Sequence, residues 1–420
     1  MGASTPGAAA MPSSWVAKAP PTDAEKLQDL RARMSQILAR ESAPTPMPPP
    51  EELPFDHIET PGGPLFVRRV GLGSAHRTGK GTPTLARSAD AQVLALLALD
   101  PQLSSIDLTG ALYLDTETTG LSGGTGTVAF LVGLAFFDDD ARLVLEQLLV
   151  MNLGQEGPML EHLARRIRAA SCLVTFNGKS FDMPLLRTRF RMARIEPPPE
   201  PPHLDLLHVA RRVHKGEEKG GTKLGALERR LFGFAREDDV PSGDVSACYL
   251  HFLRTGDTRG LIKVVEHNAW DVSSMASLVA FYGEPFAASD MVPRDLVNVA
   301  RTLKRAKKLD QAADMASRAI ASGAGAEGHV VRAGIEKARG DKARALADFE
   351  AAAASVQDAS IRLELAKLYE HWKKDPHRAL ACVEAGTGEE PPAHQKRKAR
   401  LARKASGLLF DSDGKPTCGK

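Results

Sequence analysis

The 420-residue sequence predicts an α/β fold, a mixed sheet flanked by helices, followed by an all-α region of repeated helices. Three observations lead there. Between residues 111 and 150 three apolar, strand-like runs follow one another with short turns between them. From residue 157 to 208 helical and strand-like patterns alternate. From Asp290 onward strand formers become scarce and an Ala-rich helical spacing takes over.

The elements follow in order. Residues 1–50 read as a disordered linker with one short helix. An Ala-, Pro-, Ser- and Gly-rich start precedes a charged helix at Asp23–Arg40, and the proline-rich Pro44–Pro50 is stiff and extended. Residues 51–285 form the α/β domain. Its first piece is a hairpin over Pro54–Val70, turning at Pro61-Gly62-Gly63-Pro64. A helix over 89–99 follows, with Val93, Leu94, Leu96, Leu97 and Leu99 as its apolar face. Strand Leu112–Asp115 then passes through a Gly-rich turn to strands Thr127–Phe137 and Arg142–Val150. Helix Gly157–Ala170, strand Cys172–Phe176 and helix Phe181–Arg191 come next. A proline run ending at Pro202 breaks the chain before His203–His208, and further helices extend to Tyr282. In residues 290–405 the segments Lys307–Ala319, Gly340–Glu350, Leu365–Glu370 and Pro376–Cys382 recur at offsets near the tetratricopeptide period, although any helical bundle shares such small-residue crossings. Such repeats offer a surface for a protein partner. Residues 406–420 read as a flexible tail.

Composition narrows the function classes. A net charge of +3 neither demands nor excludes nucleic acid. No apolar run approaches about 18 residues, so a membrane span is not expected. Residues 1–20 lack a signal-type apolar stretch, and Pro6 stands where a myristoylation motif needs Ser or Thr. The four cysteines are scattered without a Cys-x-x-Cys pair, so a reduced, cytoplasmic protein without structural zinc is expected.

The chemistry begins in Leu112-Tyr-Leu-Asp115-Thr-Glu117-Thr-Thr-Gly120. Residues i and i+2 of a strand project to one side, so Asp115 and Glu117 point together. Two like charges side by side need a cation, a shared proton or a basic partner. A divalent metal pair would supply one, whereas an exposed edge strand would need none. Two further segments carry acids. Asp182 opens a helix after the loop Asn177-Gly-Lys179, where it either joins a site or merely favours the helix start. His267 and Asp271 lie four apart on a late helix, either as a surface pair or as part of a site, with Met275 continuing their face inward. Two glycine-containing segments do not read as phosphate loops. Gly123–Gly126 lacks Gly-Lys-Ser/Thr and suits a tight turn, and in Ser74–Gly81 Ser74 and Gly81 stand where Gly and Ser/Thr belong.

Taken together, Leu114-Asp-Thr-Glu-Thr-Thr-Gly-Leu-Ser-Gly-Gly-Thr-Gly-Thr127, Phe176-Asn-Gly-Lys-Ser-Phe-Asp-Met-Pro-Leu-Leu186, His203–His208 and His267-Asn-Ala-Trp-Asp271 resemble the YprB-type ribonuclease-H-like family, within the DEDD 3′–5′ exonucleases. The resemblance covers residues 50–285 and implies a ribonuclease-H-like sheet. It implies that Asp115, Glu117, Asp182 and Asp271 hold two Mg²⁺ or Mn²⁺ ions, hard cations that suit oxygen ligands. It further implies that His267 is the general base or orients the water. Here the chain departs from the commoner exonuclease patterns, in which histidine usually stands five residues before the last Asp and tyrosine occupies the four-residue spacing. The substrate implied is a single-stranded DNA or RNA end. Thr118, Asn177 and Lys179 are candidates to contact it, and Asp205 is expected to support a ligand or cap a helix. Arg187, Arg189, Arg191 and Arg194, with Arg211, Arg212, Lys215, Lys219 and Lys223, are candidates for phosphate contacts, or else solvated helix faces. The basic stretch Lys396–Lys404 carries the same pair of readings. Aromatic residues make up only 5%, which argues against a broad base-stacking platform. A nuclease-like adaptor that binds without turnover is the competing reading, followed by a scaffold whose α/β domain is only structural.

Overall fold

The computed structural model describes residues 52–120, 125–216 and 221–406, together with the backbone of 409–410 and 416–417. The helix expected at 23–40, the proline linker, Gly123 and Gly124 of the glycine turn, and Lys219 lie outside the described residues. Where a flexible tail is expected, residues 409–410 and 416–417 pair as two short antiparallel strands.

Seven strands form one mixed sheet in the order β1-β2-β5-β4-β3-β6-β7. Strands β1 (Asp56–Thr60) and β2 (Gly63–Leu72) make the expected hairpin, with Gly63 at φ +113°, a conformation glycine adopts without strain. Strands β3 (Ala111–Thr118), β4 (Ala129–Phe137) and β5 (Leu143–Leu149) pair antiparallel in succession. β6 (Cys172–Thr175) and β7 (His203–Asp205) run parallel to β3. Strand β3 is therefore where an antiparallel half meets a parallel half. Ligands of open α/β sheets favour the carboxyl ends of strands at such a change of order.

Helix α1 is Ala91–Ala98, α2 Gly157–Ala169, α3 Asp182–Met192 and α4 Leu206–Val213. Asp90 begins α1 by accepting from Gln92 and Val93 N–H, and left-handed Leu99 ends it. Helix α5 is Val245–Thr255, and the 24-residue α6 spans Arg259–Tyr282. The strand period sorts β3 between the two faces. Leu112 and Leu114 pack with Leu160, Leu163 and Leu186 of α2 and α3. Tyr113 packs on the other side with Met275 and Val279 of α6.

The helical region starts with α7 (Pro293–Arg305), α8 (Leu309–Ala321) and α9 (Gly325–Arg339). It continues through α10 (Lys342–Ser355), α11 (Ala359–Leu368), α12 (Pro376–Glu384) and α13 (Pro391–Ala405). Its first helices share the core of the sheet. Leu296, Val299 and Leu303 belong to one cluster with Val209, Val213 and Tyr282. Polar contacts reinforce the junction, since Asn298 Nδ2 donates to the carbonyls of Val213 and Lys215, each at 3.0 Å. His214 lies between Asp295 Oδ2 at 2.8 Å and the Tyr282 hydroxyl at 2.9 Å.

Truncating Leu296 to alanine should therefore remove about 2–5 kcal/mol of stability. Hydrogen exchange in denaturant should show α6 and α7 losing protection in one transition; separate transitions would contradict the shared core.

Candidate metal centre

Asp115 and Glu117 continue the Tyr113 side of β3 toward the carboxyl end of the strand. Helix α6 crosses that side and presents His267 and Asp271 one turn apart, with His267 Nε2 3.4 Å from Asp271 Oδ2. Donor atoms of Glu117, His267 and Asp271 all lie within 4.8 Å of one another. Asp115 lies beside them, its Oδ2 accepting from Asn268 Nδ2 at 2.9 Å. Asp182 reaches the cluster from the opposite face at the start of α3, where the Thr116 hydroxyl donates to its Oδ1 at 2.6 Å.

The electrostatics mark this place out. Burial pushes the Asp115 carboxyl well above the usual range, and the charges of Asp271, Glu117 and Asp182 push the same way. Burial, followed by Asp271, lifts Glu117 from its ordinary 4.5 to about 8. Asp182 rises to about 6, chiefly through burial, with Thr116 opposing the shift. Glu146 on β5 is the instructive contrast. It is fully buried, more so than the half-buried Asp115 and Glu117, yet bonds from His162, Arg166 and Arg69 outweigh the burial and hold its carboxyl far below the normal range. The acids around Asp115 have no such complement of cations. The raised carboxyls of Asp115, Glu117 and Asp182, with Asp271 beside them, are a donor set that fits a hard divalent ion.

Several residues that serve the cluster had no assigned role in the sequence. Arg236 is nearly buried and pairs with Asp271 and with Glu228, to whose Oε1 its Nη2 lies at 2.5 Å, and it also lies over the Trp270 ring. Asp239 accepts from His267 Nδ1 at 2.6 Å. Burial alone would depress His267, but Asp271 and the bond to Asp239 outweigh it and raise its pKa. Nothing local flags Arg236 or Asp239, which reach the site from a loop. Gln147 had a readable signal, because Glu146 and Gln147 interrupt an apolar strand just as the β3 acids do.

The loop candidates are shaped by Asp205. Its Oδ1 accepts from the backbone N–H of Asn177 at 2.9 Å and of Leu207 at 3.1 Å, and its Oδ2 from Lys179 at 3.1 Å. It therefore caps α4, one of the two roles expected of it, and also ties down the loop. The Asn177 and Lys179 side chains are exposed, and Lys179 Nζ lies 4.0 Å from Asp100. Thr118 is buried, its hydroxyl donating to the Gly120 carbonyl at 2.8 Å. Among the basic residues, Arg187 pairs with Glu200, and Arg189 is buried on Glu156 and the Thr125 carbonyl. Arg212 bonds to the Leu97 and His208 carbonyls. Arg191, Arg194, Arg211, Lys215 and Lys223 are exposed. In the tail helix, Arg400 and Lys404 each bond to buried Glu370 at 2.8 Å, and Arg397 pairs with Glu389, so these three cations stabilise the helices.

A family profile described as the RNase_H superfamily matches residues 112–282, from the start of β3 to the end of α6. A relative from Bacillus subtilis (strain 168), named uncharacterized protein YprB, is 31% identical over 312 residues, covering 70% of this chain and 75% of the relative. The chain belongs to the ribonuclease-H superfamily. That membership makes it a nuclease-type hydrolase in broad class, with nucleic acid as the implied substrate. The profile spans all four acids, from Asp115 to Asp271, and the strands and helices that carry them.

The raised acids set the pH response of the metal-free protein. Between about pH 6.5 and 8 the folded chain holds a proton at Glu117 that the unfolded chain has released, so stability falls as pH rises. Raised His267 acts in the same direction. His203, depressed to about 4 chiefly by burial, opposes this at the lower end of the window, where the unfolded imidazole is still partly protonated and the folded one is neutral, and adds nothing near pH 8. In EDTA the melting temperature should drop across this window. Glu117→Gln should flatten the slope, and scanning fluorimetry would reveal a failure of either expectation.

Proposed function

We propose that this chain is a 3′–5′ exonuclease of the DEDD type that acts on single-stranded DNA or RNA ends with two Mg²⁺ or Mn²⁺ ions. Asp115, Glu117, Asp182 and Asp271 would hold the ions. One observation carries this reading: acids from β3, α3 and α6 converge, and burial together with neighbouring negative charge raises the carboxyls of Asp115, Glu117 and Asp182. When bound, the ions supply a more acidic attacking water and stabilise the charge developing on the phosphorane and the leaving 3′-oxygen.

The chain's own groups do the rest. His267 Nδ1 is committed to Asp239, which leaves Nε2 facing the acids to accept a proton from the water. Asp239 would stabilise the imidazolium once it forms. This pairing gives a physical basis for a histidine at the unusual four-residue spacing, because its orientation comes from a loop carboxylate. The loop fixed by Asp205 offers the exposed side chains of Asn177 and Lys179 to the terminal nucleotide, and Thr118 would shape the adjoining turn. Exposed Arg191, Arg194, Arg211, Lys215 and Lys223 would draw in the backbone, without reading base sequence. The helices from α7 onward would carry protein contacts as tetratricopeptide-like repeats. A cavity of about 580 Å³ among α7, α9, α10 and α11, with Val330, Phe349 and Ile361 in its lining, supports that role.

The adaptor reading has one observation in its favour, the pairing of Arg236 with Asp271, which supplies a resident positive charge at the acids. Degradation of 5′-labelled and 3′-blocked DNA and RNA oligonucleotides in Mn²⁺ separates the two. The nuclease should shorten unblocked strands from the 3′ end, and Asp115→Asn or Asp271→Asn should slow it by at least about 100-fold. Binding without cleavage, in native and variant chains alike, would favour the adaptor.

A further inference from the structure

Asp115 lies in a row that crosses four strands. Asp115 on β3 is directly opposite Gly133 on β4, Gly133 opposite Gln147 on β5, and Gln147 opposite Arg68 on β2. Directly paired positions present their side chains to one face, here the face covered by α6. Asn268 of that helix, fully buried, lies over the row. A Cβ at Gly133 would fall 2.2 Å from Asn268 Oδ1 and 2.8 Å from its Nδ2. The missing side chain is thus the space that lets the Asn268 amide sit between helix and sheet.

The hydrogen bonds along this row have a direction. Arg68 Nη1 donates to Gln147 Oε1 at 2.6 Å. Gln147 Nε2 donates to the Val265 carbonyl at 2.8 Å and to Asn268 Oδ1 at 2.9 Å. Asn268 Nδ2 then donates to Asp115 Oδ2 at 2.9 Å. A guanidinium can only donate, so Arg68 turns the Gln147 amide until its NH₂ faces the helix. That NH₂ claims Asn268 Oδ1 and leaves only the Asn268 NH₂ for Asp115. Reversing either amide would set oxygen against oxygen.

We propose that Asn268, Gln147 and Arg68, with Gly133 as their clearance, are positioning residues for Asp115. The row fixes the Asp115 side chain by holding Oδ2 within the protein and leaves Oδ1 for a divalent cation. This inference rests on the reading of Asp115 as a metal ligand. A purely structural row would alter stability alone; a positioning row must also alter metal affinity at constant fold.

The test is Mn²⁺ titration calorimetry on the full chain, with thermal unfolding in EDTA as the fold control. Groups that orient metal ligands typically change affinity by about 10-fold to 100-fold when removed. Asn268→Ala should weaken Mn²⁺ by that amount and still unfold cooperatively. Gly133→Ala should weaken it similarly, because the new methyl displaces the amide. In the double variant the second substitution should add almost nothing, since the methyl then occupies the space the amide has left. Arg68→Met, a change at the outer end of the row, should weaken Mn²⁺ several-fold and serves if the inner variants fail to fold. Native affinity in folded Asn268→Ala and Arg68→Met, with binding lost in Asp115→Asn, overturns the positioning role. Native affinity in Asp115→Asn instead overturns the metal reading, and the row's role with it.

Discussion

Negative charge held out of water, with too few cations to answer it, is the constraint around which this molecule is arranged. Asp115, Glu117 and Asp182 are all shifted toward the protonated state, chiefly by burial. The same sheet shows how a buried acid is accommodated when no ligand is intended, because Glu146 receives Arg69, Arg166 and His162. Leaving the first cluster under-compensated is unfavourable in the empty protein. The remainder of the fold tolerates it, because the strands beneath and the helix above are tightly packed.

Strand geometry divides the work. Alternate residues of β3 serve different masters, with Leu112 and Leu114 in the core beneath α2 and α3 and Tyr113 in the core beneath α6. Thr116, on the side of Leu112 and Leu114, meets Asp182, so the acid of α3 approaches Asp115 and Glu117 around the end of the strand. The close approach of α6 depends on Gly133, and the same helix that contributes His267 and Asp271 runs on to Tyr282, where α7 packs. The helical region is thereby built onto the helix that carries half of the candidate centre, and both draw on a common hydrophobic core.

Much of this was legible in the residues. The hairpin, the three consecutive strands and helices α2 and α3 fall within a few residues of their expected limits, because each has a strong apolar period and a clear terminator such as Pro61-Gly62 or the run ending at Pro202. The i, i+2 and i, i+4 spacings correctly paired Asp115 with Glu117 and His267 with Asp271, since those relations are local. Gln147 and Asn268 were visible as polar residues in apolar elements, but their partners lie across the sheet. Arg187 and Arg189 read as candidates for phosphate, yet ion pairs with Glu200 and Glu156 occupy them.

By itself the sequence determined the acids, their order and the elements that carry them, because backbone periodicity and turn chemistry act over a few residues. Tertiary structure alone decided the company those acids keep. Asp239 orients His267, Arg236 pairs with Asp271, and a row anchored by Arg68 reaches Asp115. Contacts between segments about 30 to 150 residues apart obey no local spacing rule; they follow from strand register and helix packing, which only the folded chain brings about.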